Sequence, residues 1–317
     1  MKVLVITPVK HINGVIGKLE TIGCVTYLDD PLPSDLIQII DQYDAIFTNP
    51  NKSKIFLGKD ILSKARNLKV ISTASTGTNH IDLNYTGENN IKILALTEER
   101  SAINLITSTA EHAFALTLSS LRNVVLSSKD VFDGNWNYEK FVGRQVNCLT
   151  FGVVGFGRLG SFYASYCHAF GAKVLVYDPY KTITSDNYVQ VGNVTNLLEA
   201  ADVISLHVHV NPETLHMVNS SWFSSMKSNV LLINTSRGEI INEADLVQFL
   251  ISNRSARVAT DVLTNEIRDF QNSSLYQFAK PHSDQVLITP HIGGMTKEAQ
   301  EIAYNHAALQ LCNYLSN

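Results

Sequence analysis

The chain has 317 residues, of which 45% are hydrophobic and 17% charged, with a formal net charge of −4. That length exceeds one ordinary core and suits two α/β domains. The acidic balance provides no basic face for nucleic acid and no polybasic membrane anchor, and no stretch approaches the roughly 20 apolar residues that span a bilayer.

The apolar run at the start is broken by Thr7 and Pro8, so it reads as a first strand and not as a signal peptide. Lys2–Thr7, Ala45–Thr48 and Val70–Thr73 are predicted strands, with helices at Ser34–Gln42 and Lys59–Ala65 between them. This alternation implies βαβ units and a parallel sheet. An amphipathic run from about Ser108 to Ser128 predicts one long buried helix. A second α/β series follows, with strands at Thr150–Val154, Lys173–Tyr177, Val203–Val208, Val230–Asn234, Arg257–Asp261 and Val286–Thr289. Six strands is the number expected of a doubly wound dinucleotide fold. The last helix, Lys297–Leu315, has no strand after it and could return to the first domain. Asn229 and Asn253 mark turns as residues tolerant of the left-handed conformation. The cysteines Cys24, Cys148, Cys167 and Cys312 are scattered and form no CxxC pair. They read as small buried hydrophobes in a reducing compartment, and a cytoplasmic location is expected.

Chemistry begins at Phe151 to Gly160. Gly155, Gly157 and Gly160 form a GxGxxG pattern between an apolar β-branched run and a helical one, Ser161–Phe170. The first glycine permits a tight turn, the second admits a pyrophosphate to the backbone, and the third lets helix and strand pack closely. The helix start then offers unpaired amides to phosphate. Asp178 ends the next strand at about the roughly 20-residue spacing expected of a ribose-binding acid. Its carboxylate would accept bonds from the ribose hydroxyls and repel a 2′-phosphate, so NAD is expected over NADP.

Three later segments carry reactive side chains at predicted strand ends. They are Ile233 to Gly238 with Arg237, Asp261 to Glu266, and Thr289 to Gly294 with His291. The carboxyl ends of parallel strands are where an open α/β sheet binds its ligand. An Arg, an acid and a His distant in sequence can therefore meet over a nicotinamide. His207 and His209 alternate with apolar residues on a strand; with no third ligand nearby they read as structural, and no metal is expected. The aromatic segment Phe132 to Tyr138 sits outside any assigned element and predicts a homodimer interface on the second domain.

This ordered set resembles the D-2-hydroxyacid dehydrogenase family. The likeness covers nearly the whole chain and includes Ser75 to Asp82, Thr109 to His112, Ser205 to Val208, Asn234 to Gly238 and Pro290 to Gly294. The resemblance implies that Arg237 binds the substrate carboxylate and carbonyl, that His291 exchanges a proton with the substrate oxygen, and that Glu266 bonds His291 and keeps a proton available. It implies backbone amides of Arg158 and Leu159 on the pyrophosphate. Thr109, His207, Thr235, Ser236, Asp261, Gly293 and Gly294 would line the cofactor. The turn at Ser75, Thr76, Gly77 and Thr78 would offer amides to the substrate carboxylate. Ile267 stands where the family usually has proline after the Glu, and His209 also replaces a usual proline. The loop Asn49 to Lys54 carries no arginine where phosphoglycerate enzymes have one, and Glu98 to Ser101 is expected to reach toward substrate.

The expected architecture is a Rossmann-type doubly wound NAD domain, residues 111–290, and a flavodoxin-like substrate domain, residues 1–110 with 291–317, with the active site in the cleft between them. The expected activity is NAD-dependent interconversion of a small D-2-hydroxyacid and its 2-oxoacid. A corepressor of the same fold, using NAD to assemble, is the rival reading. The absence of basic segments weighs against it.

Overall fold

Two α/β units make up the chain, Met1–Ile106 with Gly294–Asn317, and Thr107–Gly293. The computed structural model describes residues 1–50, 53 and 55–316, without the side chains of Glu98 and Arg268. Asn51, Lys52 and Lys54, part of the loop singled out above for its lack of arginine, lie outside the described residues.

In the first unit β1 (Lys2–Val5) alternates its apolar side chains between two cores. Val3 and Val5 join one face and Leu4 the other. Strands apolar on both faces suit a parallel sheet covered by helices on each side. The strands β2 (Cys24–Tyr27), β3 (Ala45–Thr48), β4 (Val70–Thr73) and β5 (Lys92–Leu94) complete a parallel sheet in the order β2-β1-β3-β4-β5. That is the flavodoxin-like order. The helix Lys297–Ser316 belongs to this unit and buries Tyr304, Ala307 and Leu311 against Val3 and Val5.

The second unit holds seven parallel strands: β6 (Thr150–Val154), β7 (Lys173–Tyr177), β8 (Val189–Gln190), β9 (Val203–Leu206), β10 (Leu231–Asn234), β11 (Arg257–Thr260) and β12 (Val286–Ile288). Their order is β12-β11-β10-β9-β6-β7-β8. The chain winds from β6 out to β8, then returns to β9 on the other side of β6 and winds to β12. The reversal beside β6 is the switch point at which doubly wound sheets open a ligand crevice.

Several expectations need correction. The long helix is two, Ser108–Leu121 and Val124–Phe132, because Asn123 between them is left-handed with φ 54. The strands β2, β5 and β8 had no counterpart in the predicted elements. Asn229 is not among the left-handed residues, and Asn253 has φ −129; among the described residues the non-glycine positions with positive φ are Asn90, Asn123, His216, Asn265 and His291. Cys167 is buried as expected, whereas Cys24 and Cys148 are exposed. No helix among the described residues is long and apolar enough to cross a membrane.

Candidate active site

The turn after β6 is built from glycine geometry. Gly155 has φ +86, and a Cβ there would lie 2.5 Å from the His207 carbonyl. A Cβ on Gly160 would lie 2.0 Å from the Gly155 carbonyl, so only glycine lets the helix Arg158–Ala169 approach the turn this closely. Gly157, the helix N-cap, differs: a Cβ there would meet nothing within 4 Å. Its missing side chain leaves an open cradle beside the first helical amides, Arg158 and Leu159, which have no intrahelical acceptor.

Asp178, just past β7, ties this turn down. Its Oδ2 accepts from Phe156 N at 2.8 Å and its Oδ1 from Tyr180 N at 3.0 Å. Each oxygen keeps a lone pair for a ribose hydroxyl. Lys181 Nζ donates to Phe156 O at 2.7 Å, and the Tyr180 hydroxyl donates to Glu213. Phosphate turn, ribose acid and the loop carrying Glu213 thus form one bonded rim. An open glycine cradle at a helix start beside this acid fits a dinucleotide.

Arg237, Glu266 and His291 follow β10, β11 and β12. His291 Nδ1 donates to Glu266 Oε1 at 2.5 Å, with both side chains partly buried. The other carboxylate oxygen, Oε2, accepts from Leu263 N at 3.1 Å, which fixes the rotamer. With Nδ1 committed, Nε2 is the nitrogen left for proton exchange. Arg237 is half-buried, and its Nη1 donates to Ser236 O at 2.6 Å. Burial lowers the guanidinium pKa from its usual value, against the opposing charges of Glu266 and Glu239. An arginine stays cationic even so. A buried forked cation within electrostatic reach of a carboxylate–imidazole pair can hold an anionic substrate while a proton moves.

Asp261 is the buried hub of this end. Its Oδ1 accepts from Ile292 N at 2.9 Å and Thr289 Oγ1 at 2.5 Å, and its Oδ2 from Gly293 N at 2.7 Å. His112 Nε2 stands 3.3 Å from Oδ1. Burial would raise this carboxyl, but bonds from His112, Thr289, Ile292 and Gly293 outweigh it and hold the pKa below the usual value. These bonds shape the turn in which His291 takes φ 54. The expected cofactor residue Asp261 thus has both oxygens engaged in holding that turn.

The remaining expected residues fall as follows. The Thr109 side chain lies beside Gly293 in the second unit, and Gly294 begins the later stretch of the first. Thr235 Oγ1 is buried with no hydrogen-bond partner among the described residues, the kind of orphaned atom a bound group would satisfy. Ser236 Oγ donates to Leu206 O at 2.7 Å. Burial pushes the His207 imidazole down to about 3, so it is neutral beside Ser205 Oγ at 2.9 Å. In the first unit Ser75 Oγ donates to Gly77 O at 2.6 Å, and Thr97 Oγ1 donates to Thr76 O at 2.9 Å. Glu99, expected to reach toward substrate, is instead bonded within its own unit. His306 lies 2.8 Å from its Oε2 and Gln310 Nε2 donates to its Oε1 at 2.6 Å.

Sequence reading missed three supports. Asn234 holds the Arg237 turn, donating from Nδ2 to Arg237 O at 2.8 Å and accepting from Ser236 N at 3.0 Å. Gly238 presses on the next loop, where a Cβ would sit 2.1 Å from the Leu263 carbonyl carbon. Glu243 accepts from Thr264 N at 3.0 Å. The Asn-x-x-x-Gly spacing pointed to the first two; Glu243 left no local signal beyond its place after the N-cap Asn242.

Comparisons with known proteins agree with this geometry. The model of the D-isomer specific 2-hydroxyacid dehydrogenase NAD binding domain matches residues 114–293. The D-3-phosphoglycerate dehydrogenase of Archaeoglobus fulgidus is 33% identical over 84% of this chain and 48% of its own length. The hydroxypyruvate reductase of Thermotoga maritima is 33% identical over 84% of this chain and 83% of its own. The chain spans about half the length of the phosphoglycerate dehydrogenases it matches. Among solved structures, a D-lactate dehydrogenase from Aquifex aeolicus, complexed with NAD and lactic acid, has a TM-score of 0.82 at 27% identity, covering 100% of this chain and 96% of that one. Strand order and matched sequence converge, and the chain belongs to the D-isomer specific 2-hydroxyacid dehydrogenase family.

Proposed function

We propose that the chain is an NAD-dependent oxidoreductase interconverting a small D-2-hydroxyacid and its 2-oxoacid. The observation that carries this is the 2.5 Å bond between His291 and Glu266, with Arg237 electrostatically coupled to the same carboxylate. NAD, when bound, supplies or accepts the hydride. Gly155, Gly157, Gly160 and the amides of Arg158 and Leu159 hold the pyrophosphate, Asp178 the ribose, and Thr235 the nicotinamide end. Arg237 binds the substrate carboxylate through its planar fork. In reduction His291 Nε2–H gives its proton to the substrate oxygen; in oxidation the neutral nitrogen takes it back. Glu266 stabilises the imidazolium that oxidation creates and fixes the ring orientation. The turn from Ser75 to Thr78 offers backbone amides of the kind that bind a carboxylate; the first unit is the substrate domain and the second the NAD domain.

The named relatives carry enzyme names, which supports turnover over a corepressor role. We assign a homodimer formed through the second unit, on the strength of Phe132, Trp136 and Tyr138, which are 87%, 85% and 80% exposed. Light scattering at micromolar concentration tests this, and a monomer refutes it. A cytoplasmic location accords with the exposed free thiols of Cys24 and Cys148. The activity is tested by NADH consumption against a panel of 2-oxoacids, with glyoxylate, pyruvate, hydroxypyruvate and a phosphorylated oxoacid as separate arms. No turnover with any of them, in protein that binds NADH, sinks the assignment.

A further inference from the structure

Glu243 opens the helix Glu243–Ser252, where a carboxylate ordinarily serves its own helix. Here that duty is already taken. The Asn242 side chain accepts from Ala244 N and Asp245 N. Glu243 turns away and spends both oxygens on another segment. Oε1 accepts from Thr264 N at 3.0 Å, while Oε2 accepts from Ser273 Oγ at 2.8 Å and Leu275 N at 3.4 Å. One carboxylate therefore grips both ends of the stretch from Thr264 to Ser273, and Glu266 lies inside that stretch. The backbone bonds within the stretch are short-range, Asp269 N to Asn265 O at 2.9 Å and Ser273 N to Phe270 O at 3.1 Å. The stretch consists of a left-handed Asn265 with φ 58, the short helix Glu266–Asp269 and the 3-10 turn Phe270–Asn272. The adjacent amides of Leu263 and Thr264 go to two different carboxylates, Glu266 and Glu243.

The geometry points to Glu243 as a positioning residue that sets Glu266 against His291. This rests on the acid–base reading of that pair given above. Glu243 touches neither partner; it acts by fixing the backbone from which Glu266 projects. The alternative is a plain structural tie, whose loss would soften the fold without acting on the His291–Glu266 bond in particular. A cavity of about 230 Å³ adjoins Glu243, lined also by His216, Thr264, Asn265 and Ser273. Truncating Glu243 would open room the size of its carboxylate beside this space, where an exogenous carboxylate can stand in for the missing one.

The experiment uses the full chain as Glu243→Ala, with and without acetate, and chloride at equal ionic strength as control. Three readouts are taken: hydrogen exchange across Thr264 to Ser273, the downfield proton resonance of the His291–Glu266 bond (assigned by its loss in Glu266→Gln), and oxoacid reduction. The expected result is faster exchange, loss of the downfield proton and a kcat lower by about 10- to 100-fold, the scale of a small misplacement of a reacting group. NADH affinity should stay within about twofold, since the phosphate turn is untouched. Acetate, but not chloride, should restore all three readouts saturably. A variant that keeps the downfield proton and wild-type kcat overturns the proposal, as does loss that acetate leaves unchanged. If Glu243→Ala does not fold, Glu243→Gln decides, because it keeps the acceptor for Thr264 but sets an NH2 donor against Leu275 N and so loosens the far end of the grip: a weakened downfield proton supports the assignment and an unchanged one refutes it. Full kcat in Glu266→Gln would strike the acid–base reading itself, a result distinct from any change in exchange at Thr264.

Discussion

Two regions along the carboxyl edge of the second unit's sheet are built from opposite materials. At the phosphate turn after β6 the work falls to absent side chains: Gly155 turns, Gly157 leaves room and Gly160 permits contact. At the ends of β10, β11 and β12 it falls to carboxylates that reach sideways and take loop amides. Asp261 takes those of Ile292 and Gly293, Glu266 that of Leu263 and Glu243 that of Thr264. Backbone amides suit an anion such as pyrophosphate, which needs no proton exchange. Proton transfer needs side chains, and side chains held to a fraction of an ångström need neighbours that fix the loops bearing them. One region is a surface shaped by omission and the other a network of acceptors.

The sharpest way to break that contrast is at His291. Replacement by Ala should lower kcat for oxoacid reduction by roughly 10²–10⁴-fold, the range for loss of a general acid, with NADH binding unchanged. His291→Asn tolerates the left-handed backbone better than Ala, so it should lose the same rate while keeping more thermal stability. Steady-state kinetics beside melting curves check both, and a fully active Ala variant removes the mechanism.

Next comes a pair within the phosphate turn. Gly160→Ala forces a methyl to within 2.0 Å of the Gly155 carbonyl and should destabilise the protein by about 1–3 kcal/mol. Gly157→Ala meets no protein atom within 4 Å, so its melting temperature should stay near wild type while NADH affinity falls about tenfold. Equal stability loss in both would mean that the open space at Gly157 is no cradle.

Smaller still is Asp178→Ala. It removes the charge that disfavours a 2′-phosphate and should narrow the preference for NADH over NADPH by about tenfold. Because Asp178 also accepts from Phe156 N, affinity for NADH itself should drop. Fluorescence titration with both cofactors decides, and an unaltered ratio refutes the specificity role.

The mildest effect concerns His207. Its folded pKa of about 3 lies below its ordinary 6.5, so the native state holds it neutral while the unfolded chain can protonate it. The linked stability is present above pH 6.5 and is lost as pH falls toward 3. His207→Gln should flatten that dependence by up to about one proton taken up on unfolding. Urea melts at pH 7 and pH 5 read the difference, and parallel slopes for both proteins would count against it.

The same contrast explains what could be read from the amino acids alone. Glycine function at Gly155, Gly157 and Gly160 is local, so spacing within one turn was enough. The placement of Arg237 and His291 just past strands was legible because those strands carry apolar patterns. The roles of Asp261 and Glu243 were not, because a carboxylate's choice of distant amides depends on loops whose paths no local pattern encodes. The missed strands share a cause. Val189 and Gln190 in β8 are both exposed, and β2 and β5 contain no fully buried residue, so none carries the two-sided apolar signature of β1 or β9. The break at Asn123 escaped notice because Leu121 to Val125 contains neither glycine nor proline.

The helix Lys297–Ser316 fills a core that starts at Val3, so the first unit is closed by a segment made after the whole of Thr107–Gly293. Thr107–Gly293 meets no such wait, since all of its strands precede the closing helix. On the ribosome the order of maturation should therefore invert the order of synthesis. The nucleotide unit becomes protease-resistant first, while the earlier-made unit stays open until the closing helix emerges. Arrested chains ending near residue 293, probed with limited proteolysis, should show a resistant fragment from the later-made unit and rapid loss of the N-terminal hundred or so residues. Equal resistance of both would show that the N-terminal sheet holds its shape without its final helix.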